Sequence, residues 1–210
     1  MRIERLEPDH AFSRQSQREL EALLRQPADN KVRPCPGCSV PCPCCGSPTC
    51  TCNCSSACPY APEEMSSDPH DHPIEPGIVP LVYSLYTVPE CRPCWSCEGH
   101  EDSSGRLRKL PRAWFYVRSL VHADLVAEYL AELRIARKLS HPWLLCVVNW
   151  GDAVDTAFSI EPKLIPDQEP ILHRLRRDVR TIAGGLLADI KLLARRRMAD
   201  LEAVLTGTSR

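Results

Sequence analysis

The stretch CRPCWSCEGH, residues 91–100, decides the fold. It sets Cys91, Cys94, Cys97 and His100 three residues apart. Read as a metal knuckle, it offers a three-cysteine, one-histidine set for zinc. Read with Cys58 as a distant fourth thiolate, followed by Pro59, its Cx2Cx2C run suits a four-iron cluster. Read as a strand, it opposes both. Side chains alternate along a strand, so Cys94 and Cys97 point to opposite faces and cannot close on one ion. We read it as a strand, over residues 92–97, ending in a ligand-facing loop. Gly99 permits a tight turn there, with backbone amides facing a ligand. Glu98 and His100 are titratable groups beside the Cys97 thiol. The plainer alternative is a structural turn over a buried Cys97, with His100 in solvent.

Working outward, IEPGIVPLVYSLYTV (residues 74–88) predicts a helix over 76–87. Ile78, Leu81, Val82 and Leu85 keep helical spacing, and Pro76 and Pro80 fit only a first turn. Arg106–Pro111 reads as a polar connection, and AWFYVRS (residues 113–119) as a strand of strong β formers. Residues 120–139 carry a helical stripe of Val121, Leu125, Tyr129, Leu133 and Ala136. WLLCVVNW (residues 143–150) is apolar almost throughout, as a central strand would be. TAFSIEP (residues 156–162) alternates, with Gly151–Asp155 as the hairpin turn between the two. A last helix spans about 169–205, with a kink or break expected at Gly184-Gly185. The order is helix, two strands, helix, two strands, helix. It predicts an α+β domain over 74–210, a mostly antiparallel sheet packed by helices.

Two further regions precede it. Residues 1–30 form a helical arm, with a sparse apolar face over 9–25. Residues 31–73 are a Cys/Pro-rich irregular segment with almost no aliphatic residues, unable to build a core. Nine of the thirteen cysteines fall between Cys35 and Cys58. Cys35, Cys38, Cys42 and Cys45 could complete one tetrahedral thiolate site. Cys50, Cys52, Cys54 and Cys58 could make a second, with Cys44 to bridge and His70 and His72 to spare. The expected cofactor is Zn²⁺, with Cu(I) as the soft-metal alternative. The competing reading is a low-complexity insert whose metal binding is incidental.

Net charge is −1 over 210 residues, so no global field selects nucleic acid or membrane. No apolar run is long enough to span a bilayer, and MRIERLEPDHAFSRQ lacks the apolar core of a secretory signal. A cytoplasmic location is expected, where thiols stay reduced and bind metal rather than pair. Between residues 172 and 197 eight Arg and Lys face two Asp, a local basic excess that could contact RNA. No aromatic residue interleaves them, which favours a solvated helix face. Cys146 is expected in the core, His122 and Asp124 as helix-start residues, and Glu161 as exposed. No P-loop, dinucleotide fingerprint, nucleophile elbow or HExxH motif is present.

The string Ser96-Cys97-Glu98-Gly99-His100, between an amphipathic helix and an aromatic strand, resembles the tRNA wybutosine-synthesising methyltransferase family. That family's signature is close to S-S-C-S-G-R. Ile74-Glu75, Leu81-Val82 and Trp114–Val117 are similar to its flanking helix and strand, and the likeness covers roughly 74–140. It departs at Trp95, His100 and Ser119, where the family has serine, arginine and histidine. The resemblance implies an α/β enzyme that uses S-adenosylmethionine to methylate a tRNA base, with Ser96, Cys97, Gly99 and His100 lining its pocket. Two rivals stand beside it: a zinc-binding protein with an α+β ligand-binding domain, and a metal- or redox-responsive interaction protein.

Overall fold

A computed structural model of the chain describes residues 10–25, 74–117, 119–148, 156–166 and 170–206. In chain order the elements are α1 (His10–Arg25), α2 (Val79–Thr87), β1 (Cys91–Glu101), β2 (Leu107–Val117), α3 (Leu120–Ile135), β3 (Trp143–Val148), β4 (Ala157–Pro162) and α4 (Leu172–Leu205). The four strands form one antiparallel sheet in the order β1-β2-β4-β3. The fold is α+β, as the sequence predicts. The proposed metal ligands Cys35–Cys58 and the turn Gly151–Asp155 lie outside the described residues.

Alternation along the strands sorts side chains between two faces. Ala113 and Phe115 of β2, Phe158 and Ile160 of β4 and Trp143 of β3 join one buried cluster with the helices. That cluster takes Leu81, Val82 and Leu85 from α2, Leu125, Tyr129 and Leu133 from α3, and Leu175, Val179, Ile182, Leu186 and Ile190 from α4. Leu20 and Leu23 seat α1 in the same core. On the other face, Trp95 packs against Trp114 at 4.6 Å between ring centres. Trp114 lies opposite Ser159, and Ser159 opposite Cys146.

Four expectations are corrected. The polar run Arg106–Pro111 belongs to the strand β2 from Leu107 on, because it pairs with the second half of a β1 that extends to Glu101. The apolar β3 is an edge strand, and the alternating β4 is the inner one. Cys146 is half-buried on the outer face, where desolvation and the neighbouring Glu161 carboxylate push its thiol up. Finally, α4 passes through Gly184-Gly185 as continuous helix. A Cβ on Gly185 would lie 2.9 Å from the Tyr129 hydroxyl. The glycine therefore admits Tyr129, whose hydroxyl donates to the Ile182 carbonyl at 2.8 Å.

One buried acid ties the layers together. Asp178 of α4 is 1% exposed. It accepts from the Ser140 amide (2.9 Å), the Ser140 hydroxyl (2.8 Å), the His141 amide (3.1 Å) and the Trp143 indole (3.2 Å). This carboxylate fixes the turn between α3 and β3 against the long helix.

Candidate metal centre

Strand β1 lies at one edge of the sheet, so every other amide along it has no strand partner. Glu75, just ahead of α2, answers one of these amides. Its Oε2 accepts from the Glu98 amide at 2.7 Å. Its Oε1 meets His100 Nε2 at 2.9 Å. Glu75 is 2% exposed, so a carboxylate has been taken out of water to sit on this edge.

The backbone brings Cys97 to the same place. Gly99 has φ of +82°, a conformation open to glycine at little cost. The turn directs the Gly99 amide back to Cys97 Sγ at 3.4 Å. A Cβ on Gly99 would also sit 2.7 Å from Leu172 and 2.8 Å from Pro111. Cys97 is buried, and His100 keeps one side toward solvent. One ligand atom from each of Glu75, Cys97 and His100 lies within 4.8 Å of the others.

Zinc bonds of about 2.0–2.3 Å set tetrahedral ligand atoms about 3.5 Å apart, so a modest side-chain closure would seat an ion here. Thiolate, imidazole and carboxylate are all zinc donors, and three protein ligands leave a fourth position open. Two of the three groups have the kind of outer support that metal ligands usually have. The carboxylate keeps its amide bond through Oε2, and the thiol receives an amide N–H.

Glu98 anchors the loop from beneath. Its carboxylate accepts from the Gly77 amide at 2.5 Å, at the start of α2. It also pairs with Arg176 of α4 at 2.5 Å. Arg176 donates further to the Glu98 and Gly99 carbonyls at 3.3 and 3.0 Å. Three elements are thus locked around the turn that carries Cys97 and His100.

The sequence-derived set Cys91, Cys94, Cys97 and His100 is not assembled. Cys91 is in the core, its thiol pushed up to about 12 by burial and then by Glu90. Cys94 is half-buried and pushed up to about 11, mainly by desolvation, with a hydrogen bond to Tyr116 opposing. Cys91 is held in the core and Cys94 sits at the register shift between Pro93 and Trp95, so neither joins Cys97 and His100. Ser96 is fully buried and packs inward from the strand. Glu75 was not singled out from the sequence. Its only signal is an acid placed between Ile74 and Pro76 in an otherwise apolar run.

The remaining candidates resolve individually. Ser119 caps α3, its hydroxyl accepting from the Val121 amide at 3.1 Å and donating to Glu19 of α1. His122 is 3% exposed, and neither ring nitrogen has a hydrogen-bond partner among the described residues. Glu161 is half-buried, accepting from Ser159 at 2.8 Å, with Arg112 at 3.9 Å. On α4, Arg196 pairs with Glu132 and Arg197 with Glu128, while Arg174, Arg177 and Arg180 stay exposed. No described helix is long and apolar enough to cross a membrane. Comparison with family models, curated proteins and solved structures finds no match for the chain.

Proposed function

We propose that the protein binds zinc, with one ion held by Glu75, Cys97 and His100 at the outer edge of β1. The observation that carries this is the convergence of three different zinc donors within 4.8 Å, two of them buried. Burying a carboxylate and a thiol side by side is costly unless a cation or proton compensates. An ion would take the place of the direct Glu75–His100 contact and draw in the thiolate. The open fourth position would take water or a ligand group. The thiolate tract Cys35–Cys58 is a second zinc-binding element in this reading, filled independently of the first.

The test is elemental analysis of the full chain with Cys35, Cys38, Cys42, Cys44, Cys45, Cys50, Cys52, Cys54 and Cys58 changed to serine. This variant should retain one zinc, and adding Cys97→Ser should remove it. Zinc content that ignores Cys97 and His100 would sink the proposal.

A second proposal follows the family resemblance: an S-adenosylmethionine-dependent RNA base methyltransferase using the Ser96–His100 loop. The exposed Arg174, Arg177 and Arg180 supply the charge an RNA backbone needs. Calorimetry with S-adenosylmethionine tests it, and no heat at millimolar ligand ends it.

A further inference from the structure

His122 lies in the first turn of α3 and is 3% exposed. Both ring nitrogens are sealed from water, and neither meets a hydrogen-bond partner among the described residues. A neutral imidazole has one N–H donor and one acceptor nitrogen, so this ring leaves one of each unanswered. Its cation has two N–H donors and would leave both unanswered. An unpaired buried charge costs far more than an unpaired buried dipole. The position adds to this, because the first turn of a helix is its positive end and disfavours a cation.

Two carboxylates pull the other way, Glu19 of α1 and Glu90 in the turn between α2 and β1. Neither is hydrogen-bonded to the ring. Glu19 already accepts from the hydroxyl of Ser119, the residue that caps α3 one turn before His122. Cys91, beside Glu90, is a thiol pushed up to about 12 by burial and then by Glu90, so it stays uncharged near neutral pH. Among these elements α1 is the one that can yield. Its described side chains enter the core through Leu20 and Leu23, whereas α4 brings Leu175, Val179, Ile182, Leu186 and Ile190. Elements with few buried apolar side chains open first.

We propose that His122 is a proton-operated latch on α1: a proton on its ring undocks α1 from the start of α3, while the sheet and α2–α4 stay folded. The sign follows from the geometry. The docked state offers the imidazolium no acceptor, and the undocked state offers it water. The proton therefore binds the undocked state more tightly, and acid favours opening. The onset lies at the ordinary imidazole value of 6.5. Below it, one proton changes the opening equilibrium by at most about tenfold per pH unit. The latch uses no residue of the metal centre and stands whether or not zinc binds there.

Hydrogen exchange of the full chain, read by mass spectrometry from about pH 7.5 to about 5.5 and corrected for the intrinsic rate at each pH, tests this. Below about pH 6.5, α1 should lose protection by up to about tenfold per pH unit, with α3 and α4 unchanged. His122→Leu should make the protection of α1 independent of pH over this range. If that variant does not fold, the profile of the parent chain decides alone. Protection of α1 that falls in step with α4 reads as global unfolding and overturns the latch. Protection that stays flat, or that rises because the charged ring turns to Glu19, overturns it as well. So does a pH dependence that survives in His122→Leu.

Discussion

Replacing Asp178 by alanine should cost more stability than any other single polar substitution in the domain. Four donors converge on its carboxylate: two backbone amides, a hydroxyl and the Trp143 indole, between 2.8 and 3.2 Å. Each buried donor left without an acceptor costs about 1–3 kcal/mol. The losses do not simply add, because water enters the space and the turn relaxes. A net penalty of about 3–5 kcal/mol is expected, against a total of about 5–15 kcal/mol for a domain. Asn keeps one acceptor oxygen in place of two and should lose about half as much. The measurement is urea unfolding of the full chain, with the slope m unchanged while the midpoint falls. An alanine variant within about 1 kcal/mol of the parent would refute the assignment of Asp178 as the tie between α4 and the turn before β3.

Other perturbations test neighbouring parts of the account. Gly99→Ala combines a left-handed backbone penalty with contact against Leu172 and Pro111, and should lose about 2–4 kcal/mol in the same unfolding assay. Arg176→Ala frees Glu98 and the Gly99 carbonyl, so zinc affinity should fall about 10-fold while the fold persists, read by competition with a chromophoric chelator. His122 is held neutral, its pKa lowered first by burial, with Glu19 and Glu90 opposing. A depressed histidine contributes stability that is present above the ordinary imidazole range near 6.5 and is lost as pH falls below it. His122→Leu should therefore flatten the acid limb of stability as pH falls below about 6.5; an unchanged limb would rule out His122 as its source.

Much of the fold was legible because periodicity survives without tertiary knowledge. Val121 to Ala136 announces α3, and the alternation around Phe158 and Ile160 announces β4. What was not legible depends on partners. An unbroken apolar run reads as central, yet β3 is an edge, since the ladder order follows from how β2 and β4 meet across α3. Gly184-Gly185 reads as a kink or break, yet the helix is continuous there, and at Gly185 Tyr129 occupies the space a side chain would fill. At the candidate site, the Gly turn marks Cys97, Gly99 and His100 as a ligand-facing loop, while strand alternation argues against a shared ion. Glu75 is not marked, because it is separated from Cys97 by a whole helix and reaches the site only by capping an edge amide. Asp178 and Arg176 were counted as charges on a helix, and their roles depend on residues far away in sequence.

The most direct test of the metal centre is cobalt substitution in the chain whose cysteines from Cys35 to Cys58 are serine. One equivalent of Co²⁺ should give a single thiolate-to-metal charge-transfer band and visible transitions of a four-coordinate site, both lost with Cys97→Ser and weakened with Glu75→Gln. A colourless protein with Cys97, His100 and Glu75 intact, at saturating Co²⁺ and neutral pH, would contradict it.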